Sequence, residues 1–152
     1  MTEAKLAPNL PDWMVQHANR YISSGGTDGH MYTVTPPGRQ EMTVPSLLLT
    51  TTGRKSGDRY IFPLFYGNVG KGWVIVASKG GAPEPPAWYL NLSEDPAVEV
   101  QVKADRFPAR ARTATPEEKQ EVWGTMAGIW PSYDDYQGKT DREIPVVILE
   151  PI

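Results

Sequence analysis

Residues 44–67 read VPSLLLTTTGRKSGDRYIFPLFYG and contain two β-rich runs separated by a charged loop. Branched and aromatic side chains dominate the two runs, residues 44–52 and 60–67, and such residues favour strands. The loop GRKSGDR, residues 53–59, is too short for the helical crossover that parallel strands need. The stretch therefore predicts an antiparallel hairpin with a cationic tip, and this hairpin is the centre of the predicted fold.

Strand patterns recur on the C-terminal side of this hairpin, with a tight turn predicted at residues 68–72. The additional predicted strands are residues 73–78, 97–102, 106–114 and 144–150. Three helices are predicted between or before them, at residues 13–23, 86–92 and 115–129, the last with Thr115 as its N-cap. The sum is a mainly β, α+β fold of six strands with inserted helices. A small closed or nearly closed barrel is the simplest arrangement, because closure removes exposed strand edges.

The composition excludes several classes of protein. The chain has 152 residues, enough for one domain, and a net charge of −3, which argues against a nucleic-acid binder. It has no cysteine and only two histidines, so disulfides, thiolate chemistry and cysteine or histidine metal sites are not expected, and no metal is predicted. No apolar run reaches the ~18 residues of a membrane-spanning helix, and no secretory signal is visible at the N-terminus. We expect a cytoplasmic protein.

The first 40 residues differ from the rest and are interpreted as an N-terminal extension, with residues 41–152 as the barrel domain. The predicted helix, capped by Asp12, has Trp13, His17 and Tyr21 on one apolar face. That face permits packing on the barrel, on a partner subunit or peripherally on a membrane surface, and packing on the barrel is favoured. His17 is interpreted as a packed histidine, and His30 as part of a mobile or hairpin-like segment.

Two glycine-containing loops are candidates for anion binding. In residues 53–59, Arg54, Lys55 and Ser56 lie between glycines that let a backbone approach an anion closely. The alternative is a solvated hairpin tip. In residues 77–81, ASKGG, a lysine follows the end of an apolar strand, where the alternative is a plain turn.

Two aromatic segments are candidates for holding a planar ligand. Trp88 or Tyr89 in residues 85–91, PPAWYLN, could stack on a flat ring or could anchor a short helix in the core. Trp130, Tyr133 and Tyr136 lie in a segment predicted as a loop, which could line a pocket or pack over the mouth of the barrel. In the second case Asp141 and Arg142 form a surface ion pair.

Four motifs in a fixed order carry a resemblance to a known family. The four motifs are LLLTTTGRKSGDR…FPLFYG, WVIVASKGG, PAWYLNL and YDDYQGKTDREIPVV. Over residues 47–151 they resemble the deazaflavin-dependent nitroreductase family. The resemblance implies a six-stranded split β-barrel of the FMN-binding type and coenzyme F420, a deazaflavin hydride carrier with a phosphate and an acidic tail, as cofactor. It also implies an oxidoreductase that passes hydride to a quinone, an enone or a nitroaromatic acceptor.

The same resemblance assigns site residues in this numbering. The phosphate and tail would be held by Arg54, Lys55 and Ser56. The ring system and its side chain would contact Tyr60, Ile61, Phe62, Pro63, Leu64, Phe65, Val76, Ala77, Ser78, Lys79, Ala87, Trp88, Tyr89, Leu90, Asn91 and Tyr133. The catalytic residues would be Ser78, Tyr133 and Tyr136, with Tyr133 or Ser78 as proton donor and Tyr133 and Tyr136 lining the substrate side.

Two positions refine the expected acceptor. Relatives that reduce bulky nitroaromatic compounds tend to have tyrosines where this chain has Phe65 and Trp130, so a quinone or another electron-poor enone is favoured. The alternatives are an FMN-dependent reductase on the same barrel and a carrier that binds coenzyme F420 without turnover. Barrels of this kind often pair, which makes a homodimer compatible with the sequence.

Overall fold

The predicted hairpin forms as β3 (Met42–Thr52) and β4 (Arg59–Phe65) in the computed structural model, which describes residues 4–35, 38–68 and 72–152. The strands are antiparallel, and their register pairs Thr52 with Arg59 and Ser46 with Phe65. At the tip, the Gly53 N–H donates to the Asp58 carbonyl at 2.6 Å and closes the turn. The hairpin prediction is confirmed, and the cationic loop lies at one end of the sheet.

The other strands extend this hairpin into one large sheet. They are β1 (Lys5–Leu6), β2 (Met31–Val34), β5 (Gly67–Asn68), β6 (Trp73–Val76), β7 (Ala97–Val102), β8 (Asp105–Thr113) and β9 (Val146–Pro151). The strand order is β1-β4-β3-β7-β8-β9-β6-β5, with β2 paired to β3 outside this path. All described pairs are antiparallel except β1 with β4.

The six predicted strands are all present, and the structure adds three shorter ones. β1 and β5 have two residues each, too few to give a periodic signal in the sequence. β2 lies in the segment interpreted as mobile or hairpin-like, and it forms a hairpin with β3. Within the described residues the pairings form an open path from β1 to β5, so the sheet is not closed into a complete barrel.

Four α-helices are described: α1 (Asp12–Ser23), α2 (Ala87–Glu94), α3 (Pro116–Ile129) and α4 (Ser132–Gly138). Asp12 was expected to cap the first helix, but this is wrong: Pro11 precedes the helix without a side-chain cap, and Asp12 is its first residue. Thr115 is confirmed as a cap, because its hydroxyl accepts from Glu118 N–H and the Glu118 carboxylate accepts from Thr115 N–H.

Helix α4 replaces the loop predicted after residue 130. Its seven residues contain no apolar period, and burial of Tyr133 against neighbouring elements stabilises it instead of local propensity. The turn predicted at residues 68–72 falls mostly on residues 69–71, which lie outside the described ranges.

The sheet is buried on both faces at its centre. In β9, Val147 and Leu149 belong to one apolar cluster, whereas Val146 and Ile148 belong to another that includes residues of α3 and α4. Successive side chains of a strand point to opposite faces, so this alternation shows a sheet with cores on both sides. The final strand, predicted at residues 144–150, is thus present and buried on both faces.

Helix α1 packs on the sheet through a polar layer. The Tyr21 hydroxyl donates to the Ser46 carbonyl at 3.1 Å and accepts from Lys103 N–H at 2.8 Å. His17 is buried, and its Nε2 lies 2.7 Å from the Gly29 carbonyl oxygen. Among the described residues no helix is both long and apolar enough to cross a membrane.

His30 makes a specific side-chain contact in the segment interpreted as mobile or hairpin-like, and of these two the structure shows the hairpin. Its Nε2 lies 2.7 Å from the Tyr66 hydroxyl, at the point where the chain enters β2. The polar contact ties the segment before β2 to the end of β4, a pairing that local sequence could not indicate.

Candidate functional site

The loop between β3 and β4 carries three cations, Arg54, Lys55 and Arg59, that form no ion pair with the described residues. Asp58, the acid in this loop, pairs with Lys5 at 3.2 Å. Among the described residues, no carboxylate lies within ion-pair distance of Arg54, Lys55 or Arg59. In a chain of net charge −3, this loop is therefore a local concentration of uncompensated positive charge.

Helix α2 is tied to this loop by a buried amide. Arg54 donates to Asn91 Oδ1 from Nη1 at 2.8 Å and from its backbone N–H at 3.3 Å. Asn91 Nδ2 in turn donates to the Thr51 hydroxyl at 3.1 Å. The structure thus brings together Arg54 and Asn91, which are 37 residues apart in the chain.

The segment after β6 forms a tight turn. Ser78 is buried, and residues Lys79–Gly81 make a 3₁₀ turn in which Gly81 N–H donates to the Ser78 carbonyl at 2.9 Å. Lys79 Nζ pairs with Glu84 at 3.1 Å, so its charge is partly compensated, unlike that of Lys55. This pair is exposed to solvent and is worth little to stability.

The two aromatic residues of α2 have different surroundings. Trp88 is buried in the apolar cluster that contains Leu47 and Leu49, as expected for a core anchor. Tyr89 is partly exposed, and its hydroxyl lies 2.9 Å from the Thr113 hydroxyl. It lines a cavity of about 170 Å³ between α2, the start of α3 and residues 143–146.

Helix α4 gathers the late aromatic residues. Tyr133 is buried, and its ring centroid lies 6.3 Å from those of Trp123 and Tyr136. Burial, with a smaller contribution from Tyr136, raises the pKa of the Tyr133 phenol well above its usual range. Trp130 Nε1 donates to the Tyr136 hydroxyl at 3.4 Å, and the Phe65 ring lies 5.0 Å from Trp130.

The acids of α4 serve structural contacts. Asp134 accepts from Trp123 Nε1 at 2.7 Å, and Asp135 pairs with Arg39 at 3.2 Å. Across residues 4–35, 38–68 and 72–152, no group of three acidic or histidine side chains is arranged to hold a metal ion.

Strand β4 does not present all its predicted site residues to one surface. Phe62 lies in the cluster with Trp88, Phe65 packs with Trp130, and Ile61 packs against the α1 side of the sheet. Tyr60 lies beside the loop, with its hydroxyl 3.3 Å from the Ser56 hydroxyl. Ile61 also lines a second cavity, of about 270 Å³, which opens beside α1.

Trp88 and Tyr133 likewise belong to separate clusters, and neither lines either of these two cavities. Both cavities are smaller than typical ligand pockets, which measure ~300–1,000 Å³. The described contacts are therefore a cationic loop tied to α2 through Asn91, and a turn after β6 that is in contact with the aromatic helix α4.

One interpretation of the sequence predicted a surface ion pair between Asp141 and Arg142, and for Arg142 this prediction is wrong. Its guanidinium instead donates to backbone carbonyls of the turn after β6, 60 to 65 residues earlier. Sequence periodicity holds no signal for such a contact, because the two segments meet only when β6 pairs with β9.

Comparisons with known proteins place this arrangement in context. The family model described as F420H(2)-dependent quinone reductase matches residues 13–151. An F420H(2)-dependent quinone reductase of Mycobacterium tuberculosis (strain H37Rv) is 36% identical over 141 residues, which is 88% of this chain and 86% of that protein.

Two solved structures are also similar. One is described as an F420-H2 dependent reductase and is 42% identical, with a TM-score of 0.65 over 70% of this chain and 94% of that chain. The other is described as a domain-swapped dimer and is 37% identical, with a TM-score of 0.67 over 91% of this chain and 98% of that chain.

Proposed function

This chain belongs to the F420H(2)-dependent quinone reductase family, and from that premise we propose that it reduces a quinone with hydride from reduced coenzyme F420. The observation that carries the proposal is the loop of residues 53–59. Its three cations have no described carboxylate partner, and one of them, Arg54, is oriented by Asn91 of α2, which suits a cofactor with several negative charges.

The donor set of the loop fits the coenzyme's phosphate and acidic tail. Arg54, Lys55 and the Ser56 hydroxyl would hold these groups, and Lys79 would contribute a further cation, whose charge is partly compensated by Glu84. Hydrogen bonds to charged groups are worth ~1.5–3 kcal/mol each, so two or three of them account for a useful affinity. The ring system would lie against residues 60–65, 76–79 and 87–91.

When bound in its reduced form, the coenzyme supplies the hydride. The protein's own part is to hold donor and acceptor together, exclude water and deliver the proton that converts the reduced quinone into a hydroquinone. Tyr133 is proposed as the proton donor because its phenol is protonated at neutral pH, while burial raises its pKa and so makes this proton harder to release. Ser78 and Tyr136 are the other hydroxyls proposed for the reaction centre.

A quinone or enone suits the aromatic side chains of Phe65 and Trp130 better than a bulky nitroaromatic compound does. Phe65 and Trp130 pack against each other there, and neither carries a hydroxyl group. A flat, uncharged acceptor therefore has apolar contacts on this side, and specificity comes from shape more than from hydrogen bonding.

We further propose that residues 41–152 form a six-stranded split barrel of the FMN-binding type and that residues 1–40 are an N-terminal extension. The assembly would be a homodimer, since a relative 37% identical is described as a domain-swapped dimer. The proposed location is the cytoplasm. Contact with a membrane surface through α1 is the less favoured alternative, because Ala18 and Tyr21 of α1 are buried against the sheet.

Titration of the purified protein with coenzyme F420, followed by deazaflavin fluorescence, tests binding, and we expect micromolar or tighter affinity. Steady-state oxidation of the reduced coenzyme by menadione tests turnover. Binding without a rate above the uncatalysed reaction would indicate a carrier. A yellow flavin spectrum of the isolated protein would indicate the FMN-dependent alternative, provided that the deazaflavin fluorescence of coenzyme F420 is not quenched when the protein is titrated with it.

A further inference from the structure

The turn after β6 has an unusual backbone. Lys79, Gly80 and Gly81 have φ angles of +48°, +65° and +84°, so three consecutive residues are left-handed. For a residue with a side chain, such as Lys79, this conformation costs ~1–2 kcal/mol. A conformation of this kind persists only where the surrounding structure holds it in place.

One side chain supplies much of that support. Arg142 Nε donates to the Ala82 carbonyl at 2.8 Å, and Nη2 donates to the Ser78 carbonyl at 2.8 Å. Its two terminal nitrogens also lie 3.4 and 3.3 Å from the Ala77 carbonyl oxygen. The guanidinium therefore bridges the backbone on both sides of the three left-handed residues.

The backbone around Arg142 is itself fixed by α4. Gln137 Nε2 donates to the Arg142 carbonyl at 2.8 Å, and Gln137 Oε1 accepts from Ile144 N–H at 3.0 Å. On the other side, Ala77 N–H donates to the Pro145 carbonyl at 2.9 Å. Residues 142–145 thus connect the end of α4 to the turn through both side chain and backbone.

We propose that Arg142 is a positioning residue, which holds the turn of residues 77–82 so that Ser78 and Lys79 are presented to the coenzyme and kept in register with α4. This inference rests on the proposed function. A lysine cannot replace the arginine, because one ammonium group cannot span three carbonyls, whereas the planar guanidinium has five donors in a fixed fork.

The test compares the wild type with Arg142→Met and Arg142→Lys, and with Arg112→Met as a matched control. Arg112 also makes several hydrogen bonds, to Glu118 at 2.7 and 2.8 Å and to Glu150 at 2.9 Å, but none with the turn. The measurements are the Kd for coenzyme F420, kcat and KM with menadione, and hydrogen exchange at residues 77–82 without coenzyme.

We expect both Arg142 variants to raise the Kd and lower kcat by about ten- to hundredfold, with little change in KM, because small misplacements of reacting groups have effects of that size. Exchange at residues 77–82 should become faster. Arg112→Met should lower Tm while leaving the Kd, kcat and exchange of the turn unchanged. Methylguanidinium should restore affinity to an Arg142→Ala variant, which keeps the test decisive if the methionine variant folds poorly.

Wild-type affinity and turnover in Arg142→Met, or in Arg142→Lys, would overturn the inference. Equal losses in the Arg142 and Arg112 variants would overturn it as well, because they would show a general effect of stability. Failure of the proposed function has a different signature: the wild type itself would not bind coenzyme F420, and exchange at residues 77–82 would still report whether Arg142 holds the turn.

Discussion

Asn91 illustrates how a neutral side chain can orient a cation without cancelling its charge. Its amide is buried and uses both ends, accepting twice from Arg54 and donating to Thr51. An aspartate in this place would neutralise the guanidinium that it holds. With asparagine, Arg54 is fixed in direction and keeps its full charge for an anionic ligand.

Replacing Lys55 by alanine tests the cationic loop. Lys55 is exposed and has no described carboxylate partner, so Lys55→Ala should raise the Kd for coenzyme F420 about tenfold and leave Tm unchanged. The measurement is a fluorescence titration at fixed ionic strength. Arg106→Ala is the control, because it removes the same charge from β8, where Arg106 makes an exposed pair with Glu99 of β7. If Lys55→Ala binds coenzyme F420 as tightly as the wild type, the loop is better interpreted as a solvated hairpin tip.

Replacing Tyr133 by phenylalanine separates chemistry from binding. If the buried phenol donates the proton, Tyr133→Phe should lower kcat about a hundredfold and change the Kd for coenzyme F420 little. Tyr21→Phe, which removes a phenol from the polar layer beneath α1, is the control and should leave both quantities unchanged. Weaker coenzyme binding with normal turnover at saturation would refute the acid role.

At the scale of elements, the turn after β6 and helix α4 are in close contact. A Cβ placed on Gly81 would lie 2.7 Å from the Tyr136 carbonyl oxygen, whereas one placed on Gly80 would meet nothing within 4 Å. The helix therefore approaches the turn as closely as it does only because residue 81 has no side chain. This contact sets the distance between the proposed cofactor side and the aromatic residues of α4.

The two glycines form a matched pair of variants. Gly80→Ala should lower the free energy of unfolding by about 1–2 kcal/mol, because alanine at positive φ is strained but meets open space. Gly81→Ala should lower it further, since α4 must also move away. Denaturant titrations measure both losses. Equal destabilisation would show that the close approach of Tyr136 contributes nothing.

At the scale of the molecule, a buried polar layer joins the N-terminal residues to the sheet. His17, Tyr21 and Ser46 occupy this layer, and Trp13 and Ile22 at the two ends of α1 remain 45% and 43% exposed. The layer makes the docking of α1 sensitive to the protonation of His17, because burial disfavours the charged imidazolium, although Nε2–H can donate to the Gly29 carbonyl in either form.

Stability should therefore depend on pH in a defined direction. Burial lowers the pKa of His17 and of His30 below 6.5, so between the folded and unfolded values the unfolded chain binds more protons. The free energy of unfolding should be highest above pH 6.5 and fall as the pH drops below it. His17→Gln should flatten this dependence in denaturant titrations.

A separate loss is expected at lower pH. Arg112 holds the pKa of Glu118 far below 4.5, so the stability that this carboxylate contributes is present above that pH and lost as the pH falls further. If the free energy of unfolding of His17→Gln falls between pH 7 and 5.5 as steeply as that of the wild type, the loss of stability in that range does not come from His17.

The sequence alone determined the parts of the molecule that are local. Alternating and β-branched runs predicted six strands, the short loop at residues 53–59 predicted the hairpin, and Thr115 with Glu118 predicted the start of α3. The four motifs also pointed to the family. Each of these signals lies within a few residues, where propensity, periodicity and hydrogen bonding to the neighbouring backbone decide the outcome.

Tertiary structure decided what depends on contacts between distant residues. Helix α4 forms because Tyr133 is buried, and Trp88 lies in the core because α2 packs on β3. Arg142 reaches the turn after β6 only because β6 and β9 pair, and Asn91 reaches Arg54 only because α2 returns to the hairpin tip. These contacts cannot be predicted from a pattern in a single sequence, since burial and long-range pairing arise from the packing of the whole chain.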